Sequence, residues 1–292
     1  MNWDDVRVFL AVARRGQILG AARSLGLNHA TAARRLTALE EALGSRLVIR
    51  GTSGCSLSAA GEQFLVHAER IESEMLVATE AVGTAAEIVG TVRVGAPDGF
   101  GVAFLAPRLG ELVERHRGLR IELVPVPRAF SLSRREADIA VTFERPSEGR
   151  LVARKLTDYR LGLYAAKGYL DKHGAPQTLD HLKDHQLVGY VEDLLFSESL
   201  NYTEEFMKGW RSSLAVSSAM GQTEAVRAGA GIGILHGFMA RRDDELVPVL
   251  AEHFLTRSYW TVVHEGLRSN RRVTIVAEFL ADVVARDRNI FL

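Results

Sequence analysis

An α/β fold with an N-terminal winged helix-turn-helix, a long linker helix and a two-lobed α/β domain is predicted by three patterns in this 292-residue chain. The first sixty residues carry a helix-turn-helix followed by a short two-stranded segment. A long helix is then expected over residues 59–89, with a heptad-like apolar repeat from Phe64 to Val89. From residue 90 onward strands alternate with helices, the mark of a sheet covered by helices.

Within the first pattern, Val6, Phe9, Leu10 and Val12-Ala13 form a short amphipathic helix able to close a three-helix core. Residues 16–43 read GQILGAARSLGLNHATAARRLTALEEAL, which is a helix, a turn and a second helix. Ala21-Ala22 supply small packing side chains, Gly26 permits the sharp turn, and Asn28 is a favourable N-cap. In the second helix Ala32, Leu36, Leu39 and Leu43 share one apolar face at i, i+4, i+7 and i+11. His29, Arg34 and Arg35 lie on the other face. A helix with an apolar back and a basic, hydrogen-bonding front suits the DNA major groove, although an ordinary helical hairpin can carry the same short motif. Arg46-Leu47-Val48-Ile49-Arg50, then Gly51, Gly54 and Ser56-Leu57-Ser58, read as a two-stranded wing. Residues 1–60 hold eight arginines against Asp4, Asp5, Glu40 and Glu41, while the whole chain nets zero. That local excess belongs next to phosphate.

Residues 59–89 contain no proline, and Phe64, Ala68, Ile71, Met75, Ala78, Val82, Ala85 and Val89 recur at spacings of 4 and 3. Such a seam packs either on the helix's own globular domain or on a second copy. A homodimer is the expectation, because a groove-reading helix needs a partner to recognise two half-sites.

Gly90 marks a boundary. Thr91–Gly95, Arg120–Val126 and Ala137–Phe143 read as strands of one lobe, with residues 102–117 helical. Leu161–Ala165, Leu187–Tyr190, Ser213–Ser217, Gly231–Leu235 and Leu246–Val249 read as strands of a second lobe. Trp260–Val263 is a further strand and residues 272–284 a final amphipathic helix. The expected domains are 1–58, 59–89 and 90–292, with one lobe at about 90–160 and 266–292 and the other at about 161–265. Two lobes leave a cleft, and ligands of open α/β sheets sit at the carboxyl ends of strands. Asp98-Gly99-Phe100-Gly101 and Met220-Gly-Gln222-Thr223 both open helices and offer backbone N–H groups, which predicts an effector with a carboxylate or similar polar group between them. Arg128, Phe130, Glu144, Phe196 and Asn201 are candidates for the cleft edge, with ordinary structural roles as the alternative.

Other chemistry finds no support. The nine histidines form neither H-E-x-x-H nor an H-x₃₋₅-H pair with cysteines, and His181 and His185 lie in a polar segment. There is no P-loop and no G-x-S-x-G elbow, so no enzyme, metal or cofactor is expected. The single cysteine, Cys55, excludes an intramolecular disulfide and reads as incidental rather than as a redox sensor. No run of about 18 apolar residues occurs, and Met1-Asn-Trp-Asp-Asp is acidic where a signal sequence is basic. The expectation is a soluble cytoplasmic protein.

The arrangement resembles the LysR-type transcriptional regulators. The residues that carry the likeness are Phe9-x-Ala11-Val12-Ala13, Ala21-Ala22-x-x-Leu25, Arg34-x-Leu36-x-x-Leu39-Glu40-x-x-Leu43-Gly44-x-x-Leu47, Arg50 and Leu57-Ser58-x-x-Gly61. Tyr164-Ala-Ala-x-x-Tyr169-Leu170 and Ala228-Gly-Ala-Gly-Ile-Gly233 extend it through the C-terminal region. The resemblance implies a periplasmic-binding-protein-like effector domain, double-stranded DNA and a small-molecule effector as partners, and linker-helix dimers often paired into tetramers. It implies that His29, Ala30, Thr31, Arg34 and Arg35 meet bases or phosphates and that Arg50 meets the backbone. His29-Ala30, Ala33 and Leu47-Val48-Ile49-Arg50 stand where the family usually has Gln-Pro or Gln-Ser, Ser, and Leu-Phe-x-Arg. A protein that senses a ligand without sequence-specific DNA recognition is the alternative reading.

Overall fold

The computed structural model describes every residue except 52–53, 83–87, 127–135, 148, 196, 198–199 and 269, and, within the linker helix, every side chain except those of 73, 76–77 and 79–82. The chain divides into two compact units, one holding the N-terminal helices and wing, the other the α/β sheet. No helix among the described residues is long and apolar enough to cross a membrane.

In the first unit, α1 (Trp3–Arg15) opens on a reciprocal cap: Asn2 Oδ1 accepts from the Asp5 N–H at 2.9 Å, and Asp5 Oδ2 accepts from the Asn2 N–H at 3.1 Å. Two further helices follow, α2 (Ile18–Ser24) and α3 (His29–Leu43). Gly26, at φ 66°, makes the turn between them. Phe9, Leu10, Ala21, Ala32, Leu36 and Leu39 are fully buried, which is the three-helix core expected from their spacing. The apolar face of α3 stops at Leu39; Leu43 is 36% exposed. The wing is an antiparallel pair, β1 (Val48–Gly51) and β2 (Gly54–Leu57), with Val48 opposite Leu57.

Helix α4 is described over Ala59–Val82, the next five residues lie outside the described ones, and Val89, the expected end, is not helical and lies just before the first strand of the sheet. Its first turn lies so close to the wing that a Cβ on Gly61 would come within 2.1 Å of the Leu47 carbonyl oxygen. The apolar seam divides along α4. Ala68 is fully buried, and Phe64 meets the Phe9 ring edge-on at 5.2 Å in the helical core. Ile71 and Met75, one and two turns further on, are 43% and 44% exposed. The start of the repeat thus serves the protein's own core, and the heptad pattern alone does not separate that role from pairing with a second helix. Ala85 and the side chain of Val82 fall outside the described residues.

In the second unit the described strands form one mixed sheet. They are β3 (Gly90–Ala96), β4 (Leu119–Pro125), β5 (Ile139–Thr142), β6 (Leu151–Ala166), β7 (Leu187–Gly189), β8 (Leu214–Ala215), β9 (Ile232–His236) and β10 (Leu246–His264). Their order is β4-β3-β5-β10-β6-β9-β7-β8. Strands β3, β4 and β5 run parallel, as do β9, β7 and β8, while β10 and β6 pair antiparallel between the two groups. The segments Leu246–Val249 and Trp260–Val263, expected as separate strands, are two ends of β10, interrupted by an irregularity between Val249 and Phe254 where Leu250 takes φ 49°. Strand β6 likewise begins ten residues before the expected Leu161. Both long strands run through both lobes, so each lobe's residues at their ends are tied to the other by a continuous ladder.

Five α-helices complete the second unit among the described residues: α5 (Leu109–Arg115) before β4, α6 (Lys167–His173) after β6, α7 (Thr203–Phe206), then α8 (Ala219–Arg227) and α9 (Gly237–Ala240) flanking β9. A sixth, α10 (Arg271–Arg286), buries Val273, Val276, Phe279, Leu280, Val283 and Val284 along one stripe, as expected from its period. The continuous helix expected over residues 102–117 is instead a π-helical turn, Phe100–Leu105, followed by α5. Pro107 lies at the break, where it offers no N–H to carry a helical ladder through.

Candidate DNA interface and effector cleft

Helix α3 starts at Asn28, whose Oδ1 accepts from the Thr31 N–H at 2.7 Å. That cap holds His29 and Ala30, both exposed, at the open N-terminal end of the helix, with Thr31 half-buried behind them. Arg34 is exposed and makes no ion pair among the described residues. Arg35 differs: its Nη1 lies 2.7 Å from Asp4 Oδ2, and the guanidinium holds the Asp4 carboxyl below its usual range. Arg50 is exposed on β1, opposite Cys55 of β2. The face opposite the buried leucines is therefore basic, with one arginine outside any ion pair among the described residues and one shared with α1.

Glu40, which the sequence offers in the acidic count and in the family-like pattern but not as a buried group, is 5% exposed. Its Oε1 accepts from the backbone N–H groups of Leu47 and Val48 at 2.8 and 3.0 Å, and Arg46 Nη1 lies 3.5 Å from Oε2. A carboxylate in this position orders the start of the wing relative to α3, and replacing it strands two buried donors. A buried glutamate one turn before a helix end leaves no periodic signature in the sequence.

In the α/β unit, Asp98 follows β3 and crosses the cleft. Its Oδ2 accepts from Ser218 Oγ at 2.6 Å and from the Met220 N–H at 3.2 Å, at the start of α8. The helix start expected to receive an effector's carboxylate thus receives one from the protein itself. Glu144 Oε1 accepts from Ser197 Oγ at 2.6 Å, and Arg242 Nη1 donates to the Ala103 carbonyl at 2.8 Å, further bonds between the lobes. Gly99 sits so close to the second lobe that a Cβ there would lie 2.9 Å from Met239 Sδ and 3.2 Å from Ala219 Cβ.

The lobes enclose a cavity of about 20 Å³ whose lining includes Asp98, Phe143, Tyr190, Tyr202, His236 and Tyr259. That is room for one water-sized group. Tyr259 is fully buried, and its hydroxyl neighbours that of Tyr159. Tyr159 stacks between Tyr259, at 4.2 Å between ring centroids, and His236, at 5.2 Å. Burial pushes His236 down to about 4, against a smaller opposing pull from Asp98, so its ring is neutral near pH 7. Burial raises the tyrosine hydroxyls of 190, 202 and 259, and the Asp98 charge raises them further.

The sequence-expected cleft residues separate accordingly. Asp98 and Gly99 line the cavity. Phe100 is fully buried and packs on Phe104, Tyr259 and Phe291 as part of the core, because the π-helical turn directs it inward. Gln222 Nε2 donates to the Val216 carbonyl and Thr223 Oγ1 to the Ala219 carbonyl, so both side chains satisfy the backbone around α8. Glu144 is exposed and bridges to Ser197, and Asn201 is exposed while its neighbours Leu200 and Tyr202 line the cavity. Arg128, Phe130 and Phe196 lie outside the described residues. His236, at the carboxyl end of β9, was within reach of the strand-end rule; Tyr259 sits inside a long strand and carried no such signal. Among the described residues no cluster of histidine, cysteine or acidic side chains is arranged to hold a metal.

A winged helix-turn-helix joined to a two-lobed α/β ligand-binding domain defines a one-component DNA-binding regulator, and the known proteins agree. Residues 3–62 match the family described as bacterial regulatory helix-turn-helix protein, lysR family, and residues 85–285 match the LysR substrate binding domain. The HTH-type transcriptional regulator CrgA of Neisseria meningitidis serogroup C (strain 8013) is 30% identical over 292 residues, 96% of each chain. The HTH-type transcriptional activator TtdR of Escherichia coli (strain K12) is 27% identical over 286 residues, covering 95% of this chain and 92% of that one. The solved structure of CrgA from Neisseria meningitidis superimposes with a TM-score of 0.61 at 29% identity, over 97% of this chain and 98% of the other. Full-length LysG from Corynebacterium glutamicum shares the fold at TM-score 0.67 and 22% identity, over 98% and 99%. The chain belongs to the LysR family: it is a LysR-type transcriptional regulator with a helix-turn-helix DNA-binding domain and a substrate-binding domain.

Proposed function

We propose that this protein acts in the cytoplasm as a homodimer or tetramer that reads a two-half DNA site with α3, has no enzymatic activity, and responds to a small-molecule effector bound between the lobes of its α/β unit. The observation that carries the DNA reading is the solvent face of α3, where Arg34 stands exposed and, among the described residues, without an ion pair, beside His29 and Thr31, while Ala32, Leu36 and Leu39 on the opposite face are buried. In this reading Arg34 meets a base edge, His29, Ala30 and Thr31 approach the groove from the capped helix start, and Arg50 meets the backbone from the wing. Arg35 contributes either to phosphate or to orientation through Asp4. Exposed Ile71 and Met75 support pairing of α4 with a second copy. The bonds from Asp98 and Glu144 across the cleft support an effector response, because a ligand that favours one lobe arrangement shifts the population toward it.

Genome-wide capture of DNA by the purified full-length protein, followed by competition at rising salt, tests this reading. A discrete palindromic site is expected, with binding weakened about 10- to 100-fold in Arg34→Ala, the scale of one lost arginine–guanine contact. Sequence-blind, salt-sensitive binding would instead favour a ligand sensor without sequence-specific DNA recognition.

A further inference from the structure

We propose that the cleft of the α/β unit selects an effector carrying a primary ammonium group, charge-paired with Asp98 inside a cage of Tyr190, Tyr202, His236 and Tyr259. This rests on reading the cleft as the effector site and names the chemistry that site accepts.

Charge comes first. Among the described residues lining the cavity, Asp98 carries the one formal charge, since burial keeps His236 neutral. The start of α8, the natural seat for an anion, is already filled by Asp98 Oδ2 through its bonds to Ser218 and the Met220 N–H. An anionic ligand would have to break both bonds and then face the displaced carboxylate at close range. A cation faces neither cost.

Hydrogen-bonding capacity narrows the class. Both bonds to Asp98 fall on Oδ2, which leaves Oδ1 as an acceptor. The buried Tyr259 hydroxyl oxygen keeps a lone pair even with its proton turned to Tyr159, and a neutral imidazole keeps one ring nitrogen able to accept. Carboxylate, phenol and imidazole together offer three acceptors, matched in number by the three N–H bonds of a primary ammonium. Size agrees. A cavity of about 20 Å³ takes a group the size of water, which –NH₃⁺ is and a trimethylammonium is not. Because Asp98 carries the bonds to α8, an ammonium on Oδ1 would engage the arrangement in which the lobes are joined, and so favour it.

The test titrates the full-length protein with methylammonium chloride, sodium acetate and sodium chloride at equal ionic strength, reading melting temperature and intrinsic fluorescence. Methylammonium is expected to bind saturably and raise the melting temperature, and acetate to match sodium chloride. Asp98→Asn keeps an acceptor toward Ser218 but removes the charge; it should weaken methylammonium at least tenfold while still melting cooperatively. Tyr259→Phe, which keeps the buried ring, should weaken it several-fold and guards against a folding defect in the first variant. Undiminished methylammonium binding in Asp98→Asn would overturn the proposal. Saturable acetate binding lost in Tyr259→Phe would keep the cleft as the effector site and overturn the ammonium assignment alone. Binding of neither probe would overturn it as well, leaving the DNA reading untouched because that is measured independently.

Discussion

Helix α3 turns its apolar residues inward and leaves His29 and Arg34 in water, whereas the cleft of the α/β unit turns Asp98, His236 and Tyr259 inward and closes around them. The two sites face opposite physical demands. A DNA contact is made by a rigid surface whose charges are already solvated, so its affinity falls with salt and its geometry needs no rearrangement. A small polar ligand must be desolvated, so its partners are buried, neutralised or bonded to one another until it arrives. The difference teaches where each unit is fragile: the first depends on a small apolar core and on the buried carboxylate of Glu40, the second on the protonation and pairing of enclosed polar groups.

The largest effect that would sharpen this contrast lies in the core behind α3. Leu36→Ala removes a fully buried side chain and should cost about 3 kcal/mol of stability. Chemical denaturation should show the N-terminal unit unfolding earlier with its DNA binding lost, while ligand responses of the α/β unit persist. If both units failed together, the division drawn here would break.

Acid should act on the other unit. His236 is held down to about 4 when folded, against 6.5 in its free form. Between those values the unfolded chain takes up a proton that the folded chain refuses, so stability is lost as pH falls from about 6.5 toward 4, by on the order of 3 kcal/mol at most. Denaturation measured across that range should fall steeply for the wild type and less so for His236→Gln. A parallel fall in both would assign the acid sensitivity elsewhere.

Glu40→Ala should cost about 1–3 kcal/mol by stranding the Leu47 and Val48 N–H groups. Its circular dichroism should retain the helical signal of α3 while DNA affinity drops, because the wing is no longer fixed to the helix. Unchanged affinity would mean that the wing contributes nothing to binding. The smallest effect is expected from Asp4→Asn, which releases Arg35 from an exposed pair. DNA affinity should rise a few-fold at low salt, with a steeper salt dependence read by fluorescence anisotropy; weaker binding instead would make Asp4 a positioning partner that holds Arg35 toward the DNA.

Much of this was legible from residue order. The core of the winged helix followed from Phe9, Ala21, Leu36 and Leu39, the turn from Gly26, and the cap from Asn28, because each depends on neighbours within one or two helical turns. The strands of the sheet were legible from their apolar runs, and Asp98 from its place after one of them. What escaped involves distant partners. Phe64 and Ala68 satisfied a heptad pattern but were claimed by the core of their own unit. Glu40 carried no sign of burial, since the Leu47 and Val48 N–H groups that it accepts from lie across the turn into the wing. Tyr259 sits within a strand whose periodicity says only that it is buried.

The sequence by itself determined the helix-turn-helix, the sheet class and the family, since these rest on periodicity, turn chemistry and spacing, which are local properties of a chain. Only the tertiary structure decided that the start of α8 holds the protein's own Asp98 rather than an open anion site, and that β6 and β10 run unbroken through both lobes. Those outcomes depend on which side chains meet across more than a hundred residues, and no pattern along the chain encodes a distance of that kind.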